Sequence, residues 1–257
     1  MIGIALCLAM AAVYLAAVRD YGRRYPRRKF GAMRVVFFLS GAALLAAAFS
    51  PPFERWADAS FAAHMAQHVI MTLVAPPLML LGAPLLLLVA IPQRAMARRI
   101  AAVAQHPVAV ALLAPAAGWL IFIFVLWGTH FSPLYEAALE HEPLHVVEHG
   151  IFLLAAFLFW MPIVEAGYAP RPIAYPARML YLFLALPQGA FLGLAIYSSR
   201  QVLYPHYAHV LSFTHAIDDQ RAGGAVMWIV GGFLLFLAFM ITAGAWAYAE
   251  RREESPA

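Results

Sequence analysis

Two pairs of histidines have the spacing that metal ligands take on a helix. His64 and His68 form the first pair, and His145 and His149 form the second. Residues four positions apart lie on one face of an α-helix with Cβ atoms about 5 to 6 Å apart, so their imidazoles can bind one ion. A single interfacial pair is ordinary, because imidazole tolerates both water and apolar surroundings. Each pair opens an apolar run, however, and two pairs at similar depth predict a shared metal site.

Other side chains could support such a site. Either of two carboxylates, Glu148 or Asp219, could accept the second N–H of a ligand imidazole and fix its tautomer. Exposure to solvent, or an ion pair with Arg221, is the alternative for these carboxylates. Met65 and Met71 could supply thioether sulfur to a soft ion, although most methionines in such helices are packing residues.

The other histidines on the same side give weaker signals. His141 extends the second pair by one turn and is interpreted as a candidate entry ligand. The remaining ones occupy an outer loop, whose polarity explains them adequately: His206, His209 and His215.

The choice of metal is narrowed by the single cysteine, Cys7. One cysteine excludes a disulfide framework, a cysteine-based zinc site and a paired-thiol metal loop. Imidazole ligands without thiolate suit copper, zinc, nickel or haem iron, and Cu(II) binds most tightly among the divalent ions. Ligand softness alone does not decide between these metals.

The pairs must be positioned by membrane helices. Of the 257 residues, 64% are hydrophobic and only 12% are charged, whereas soluble domains are about half apolar and a quarter charged. A bilayer core needs roughly 20 apolar residues per helix. The apolar runs therefore predict seven spans in a single domain covering residues 1–257, near 1–18, 33–50, 64–91, 107–128, 144–164, 177–199 and 224–249.

Basic residues orient the predicted bundle. With an external N-terminus, all but three of the 17 lysines and arginines lie on the inner side; the exceptions are Arg55, Arg200 and Arg221. The same orientation places every histidine except His106 outside. We expect an all-α polytopic protein with its N-terminus outside and its C-terminus cytoplasmic, whose first run is a retained helix and not a cleaved signal peptide.

Several function classes have no support. The net charge of +4 reflects arginines that fix orientation, so nucleic-acid binding is not expected. Mid-span positions lack ionisable residues, which disfavours an ion-coupled transporter or a copper-uptake channel. No nucleophile with a positioned base and no phosphate-binding glycine loop is present, so we expect no enzyme activity.

The sequence resembles the CtaG family of multi-span cytochrome c oxidase assembly factors over most of its length. Four segments carry the resemblance: His64–His68 running into Ala75–Pro84, Thr129–Leu139, His145–His149 with Phe159–Pro162, and Asp219 and Gln220 with Gly223, Met227 and Trp228.

The resemblance implies a seven-helix protein of the bacterial cytoplasmic membrane that helps copper reach the catalytic subunit of a haem–copper oxidase at the outer face. Its expected partners are oxidase subunits, the lipid bilayer, an extracytoplasmic copper donor and a second copy of the chain. The matched positions imply His64, His68, His145 and His149 as copper ligands, with His130, Glu148 and Asp219 as lesser contributors. Many relatives have Trp and His adjacent where Gly128 and Thr129 here separate Trp127 from His130.

A membrane cytochrome is the main alternative. Facing histidines could hold haem and carry electrons, and an intense absorption band at roughly 400 nm would identify the haem. The position of both pairs at the membrane edge favours copper.

Overall fold

The computed structural model describes residues 2–91, 94–164 and 172–254. Within these ranges the chain is helical and has no strand. The helices are α1 (Ile2–Arg24), α2 (Ala32–Ala48), α3 (Pro51–Ala59), α4 (Phe61–Leu81), α5 (Pro84–Ala90), α6 (Arg94–Gln105), α7 (Pro107–Leu112), α8 (Pro115–His130), α9 (Pro133–Glu140), α10 (Glu142–Trp160), α11 (Tyr175–Ser198), α12 (Pro205–Val210) and α13 (Phe213–Glu253).

Five helices of the described chain, α1, α4, α10, α11 and α13, are long and apolar enough to cross a membrane. Two bent pairs raise the number to seven if each pair is one span: α2 with α3, bent by 53°, and α8 with α9, bent by 71°. The all-helical fold and the membrane character are therefore confirmed, and seven spans require both bent pairs to cross.

Prolines explain most of the helix starts. Proline is favoured in the first turn of a helix, because its missing N–H has no intrahelical partner there and its φ is already helical. The predicted third span accordingly breaks before Pro84, and the fourth divides at Pro115. The short helices α3, α9 and α12 also begin at proline, and their sequences were too short and polar to be predicted as helices.

A π-helical turn at Ile70–Val74 lies within α4. A hydrogen bond connects this turn to α10. Pro76 has no N–H to donate to the carbonyl of Thr72, four residues earlier. The indole of Trp160 donates to that carbonyl instead, with a nitrogen–oxygen distance of 2.9 Å. The bond fixes the end of α10 against the middle of α4, below both histidine pairs.

Small residues allow α11 and α13 to cross at backbone contact. A Cβ atom added at Gly193 would lie 2.6 Å from the carbonyl oxygen of Gly224, and the reverse substitution would meet the Gly193 oxygen at the same distance. Close approach at glycine is the usual way in which membrane helices gain packing energy.

Replacing Gly193 by alanine should therefore destabilise the bundle by about 1 to 3 kcal/mol, through overpacking against α13. Thermal unfolding of the detergent-solubilised protein measures this loss. Gly244→Ala is the matched control, because a Cβ there has open space around it, and alanine is the better helix former. Equal stability of the two variants would contradict the crossing described here.

Candidate metal centre

The two histidine pairs meet between α4 and α10. The Nε2 atoms of His64 and His68 are 2.9 Å apart, and those of His145 and His149 are 3.0 Å apart. Across the helices, the rings of His64 and His145 stack with centroids 5.2 Å apart. Ligand nitrogens at about 2.0 to 2.1 Å from one ion would be about 2.9 Å apart at a right angle. The cluster therefore has the dimensions of a metal site, and the predicted third and fifth spans are in contact.

Two overlapping sets of ligand atoms are compact enough to hold an ion. His64, His145 and His149 form one set, and His64, His68 and Glu148 form the other, with the ligand atoms of each set all within 4.8 Å of one another. His64 belongs to both sets. Each set combines α4 with α10, so neither helix alone supplies a site.

Access to the cluster is one-sided. His64 is fully buried, with 0% of its surface exposed, and His68 and His149 are buried as well. His145, one turn nearer the start of α10, is partly exposed. An ion arriving from water would therefore meet His145 first and reach the buried imidazoles afterwards.

A tyrosine from α12 fixes the tautomer of His64. The Tyr207 hydroxyl is 3.2 Å from the carbonyl oxygen of Ala57 and 3.0 Å from Nδ1 of His64. A carbonyl can only accept, so the hydroxyl donates to Ala57 and accepts from Nδ1–H. Burial raises the pKa of Tyr207 well above its ordinary value, which keeps the hydroxyl protonated. Nε2 of His64 is then unprotonated, as the nitrogen of a metal ligand must be.

Glu148 is a buried carboxyl group at the site whose two oxygens both lack a hydrogen-bond partner. Its side chain is only 2% exposed. A buried charge without a partner is strongly unfavourable, so this carboxyl group needs a cation or a proton. A carboxylate with neutral imidazoles is a donor set that suits copper or zinc, and the residues present therefore fit a metal ion.

His130 lies beside the cluster but outside both compact sets. Its Nδ1 donates to the carbonyl of Leu126 at 2.7 Å, which leaves Nε2 as a buried atom without a partner. Its ring is 6.0 Å from that of His68 and nearly perpendicular to it. His130 therefore lies next to the two histidine pairs but is not a member of either compact ligand set.

Asp219 has a different role from the one suggested by its sequence position. Its carboxylate accepts hydrogen bonds from the Ser60 hydroxyl at 2.7 Å and from the backbone N–H of Phe61 at 2.6 Å. These contacts satisfy the start of α4, where unpaired N–H groups attract negative charge. Asp219 therefore anchors the helix that carries the first pair, and it does not reach the imidazoles.

The outer-loop histidines belong to neither compact set. The backbone N–H of His206 donates to Glu136 at 2.7 Å. The exposed histidines that the sequence places on the outer side, His141, His209 and His215, are in neither compact set. Sequence reasoning missed Tyr207, whose only signal was a hydroxyl in a histidine-rich loop.

Comparison with known proteins identifies the chain's relatives. Residues 12–249 match the family described as cytochrome c oxidase caa3 assembly factor (Caa3_CtaG). Uncharacterized proteins of Mycobacterium bovis and Mycobacterium tuberculosis are each 25% identical over 98% of this chain, which spans 39% of their length. A protein of Mycobacterium leprae is 25% identical over 85% of this chain and is matched over 35% of its own length. No solved structure matches the chain significantly.

A match over nearly the whole chain, across the helices that bring the histidine pairs together, establishes its family: the protein belongs to the cytochrome c oxidase caa3 assembly factors (Caa3_CtaG).

Proposed function

We propose that this chain binds copper at the outer face of the bacterial cytoplasmic membrane and passes it to the catalytic subunit of a haem–copper oxidase. Copper is the cargo, and the chain performs no turnover of its own. The observation that carries the proposal is the buried cluster of four imidazoles and an unpartnered Glu148 between α4 and α10. Family membership supports the role in oxidase assembly.

The proposed orientation supports delivery at the outer face. Arg34, near the start of α2, lies beside Gly82, which follows the end of α4 opposite its histidine pair. Basic residues at a helix end are typical of the cytoplasmic side. With this orientation and seven spans, the N-terminus is outside, the C-terminus is cytoplasmic, and His145 faces the compartment from which an extracytoplasmic donor would bring copper.

The haem alternative lacks room at the cluster. The cavity that adjoins His68 and His130 has a volume of about 50 Å³, whereas pockets for drug-sized ligands and cofactors have about 300 to 1,000 Å³. Across the helices, the rings of His64 and His145 have centroids 5.2 Å apart, less than the roughly 7 Å that a porphyrin plane in contact with a ring on each side requires. This observation favours a bare ion over haem.

The first test is metal content after copper loading. We expect the purified protein to retain about one or two copper ions and to show no haem absorption. The double variant His64→Ala, His149→Ala removes one imidazole from each helix and should lose most of this copper. His209→Ala, His215→Ala is the matched control, because both residues are exposed and in neither compact set. Equal copper in the two double variants would refute the proposal.

The hydrogen bond of Tyr207 gives a second test. Tyr207→Phe removes the acceptor of the His64 Nδ1–H and should weaken copper binding about 10- to 100-fold, as outer partners of metal ligands usually do. Competition with a chelator measures the dissociation constant. Tyr181→Phe is the control, since that buried hydroxyl donates to the Phe159 carbonyl away from the site. A loss of affinity in both variants alike would point to a general packing effect.

Delivery of copper to the oxidase can be tested in the bacterium from which the gene comes. Replacing the chain by the His64→Ala, His149→Ala variant should lower the copper-to-haem ratio of the purified caa3-type oxidase, because haem insertion does not depend on these imidazoles. The control variant should leave the ratio unchanged. A fully copper-loaded oxidase in the presence of the first variant would contradict a delivery role.

A further inference from the structure

We propose that the bundle contains a second, inner subsite for a soft monovalent metal ion, formed by His68, His130, Met65 and Met227. These four residues line a cavity that the outer set His64, His145 and His149 does not line. The subsite goes beyond copper binding at the two histidine pairs and uses ligand atoms that the outer set does not contain.

The location is a small cavity next to the cluster. Its volume is about 50 Å³, and all four proposed ligand residues line it. Apolar groups form most of the remaining wall, including Phe122, Phe152 and Leu235. The cavity has room for one ion.

Hydrogen bonding leaves His130 with a free lone pair at this cavity. Its Nδ1 is 2.7 Å from the carbonyl of Leu126 and must donate to it, because the carbonyl has no hydrogen to give. Nε2 is therefore unprotonated in the neutral ring. This atom is buried and has no partner, although the ring is packed against Tyr135 and Phe152.

His68 has a free lone pair by the same reasoning. Tyr207 holds the proton of His64 on Nδ1, so Nε2 of His64 accepts and Nε2–H of His68 donates across their 2.9 Å contact. In a neutral ring, Nδ1 of His68 then carries no proton. It is buried without a partner, like Nε2 of His130. Two bare lone pairs thus belong to residues that line one cavity, with no donor to satisfy either.

The other two groups are thioethers. The Met65 side chain is fully buried, with 0% exposure, and Met227 is 8% exposed. Thioether sulfur and neutral imidazole together select soft ions such as copper(I), and their lack of charge suits a monovalent ion in an apolar surrounding. A water molecule could donate hydrogen bonds to both nitrogens, but thioether sulfur is a weak acceptor. The two methionines therefore favour a soft metal ion over water as the occupant of the cavity.

Silver(I) is the probe, because it is soft, monovalent and stable in air. Every sample carries Cys7→Ala, because a thiol binds soft ions more tightly than imidazole or thioether does. The full-length protein in detergent is titrated with silver nitrate in chloride-free buffer, and bound silver is counted by mass spectrometry after gel filtration. We expect about two silver ions per chain, one in each set of ligands. Met65→Leu, Met227→Leu conserves side-chain volume and should lose one of the two, with an affinity loss of more than about 100-fold at that step.

The matched control is Met71→Leu, Met79→Leu, which changes two buried methionines of α4 that do not line the cavity. It should bind silver as the wild type does. If Met65→Leu, Met227→Leu does not fold, His130→Asn removes the inner imidazole and tests the same step. Unchanged silver stoichiometry and affinity in the inner variant would overturn the subsite and leave water as the occupant of the cavity.

A third variant separates this proposal from the proposed function. His145→Ala, His149→Ala removes the α10 ligands of the outer set and should retain one silver ion. Loss of both ions in this variant would show that the inner residues do not bind independently, and would overturn the subsite. Retention of both would contradict the outer copper site of the proposed function instead.

Discussion

The burial of lone pairs without matching donors is the constraint on which this structure depends. Imidazole nitrogens of His68 and His130 and both oxygens of Glu148 lie inside the bundle without hydrogen-bond partners. In a low-dielectric interior, each such group lowers stability unless a proton, a water molecule or a cation compensates it. A metal ion can compensate several of these groups at once, which a proton cannot do.

The surrounding helices hold these groups in place through three polar contacts to α4. Asp219 binds the start of the helix, Tyr207 orients the imidazole of His64, and Trp160 bonds to the carbonyl freed by Pro76. They come from α13, α12 and α10, respectively. The first histidine pair is thus fixed by parts of the chain that are far apart in sequence, and this rigidity is what the proposed metal site requires.

Local patterns were sufficient to predict the long apolar helices and the histidine pairs, but not the short helices α3, α9 and α12. The i, i+4 spacing alone places His64 and His68 on one helix face, and likewise His145 and His149, independently of the tertiary fold. The third predicted span contains Pro76 and Pro84, and the structure shows a π-helical turn before the first and a break before the second.

What could not be predicted depends on packing between distant segments. No periodicity indicates that α4 and α10 touch, that Tyr207 reaches His64, or that Glu148 is buried without a partner. Asp219 is the clearest example, because a carboxylate near the start of one helix proves to cap another helix 158 residues away in sequence. Such contacts follow from the whole bundle.

The most direct test of the central claim is the position of bound copper in a crystal of the loaded protein, located by its anomalous scattering. The account predicts a peak between α4 and α10, about 2.0 to 2.2 Å from an imidazole nitrogen of each helix. A copper peak bound only by exposed histidines such as His209 and His215, with none between these two helices, would contradict it.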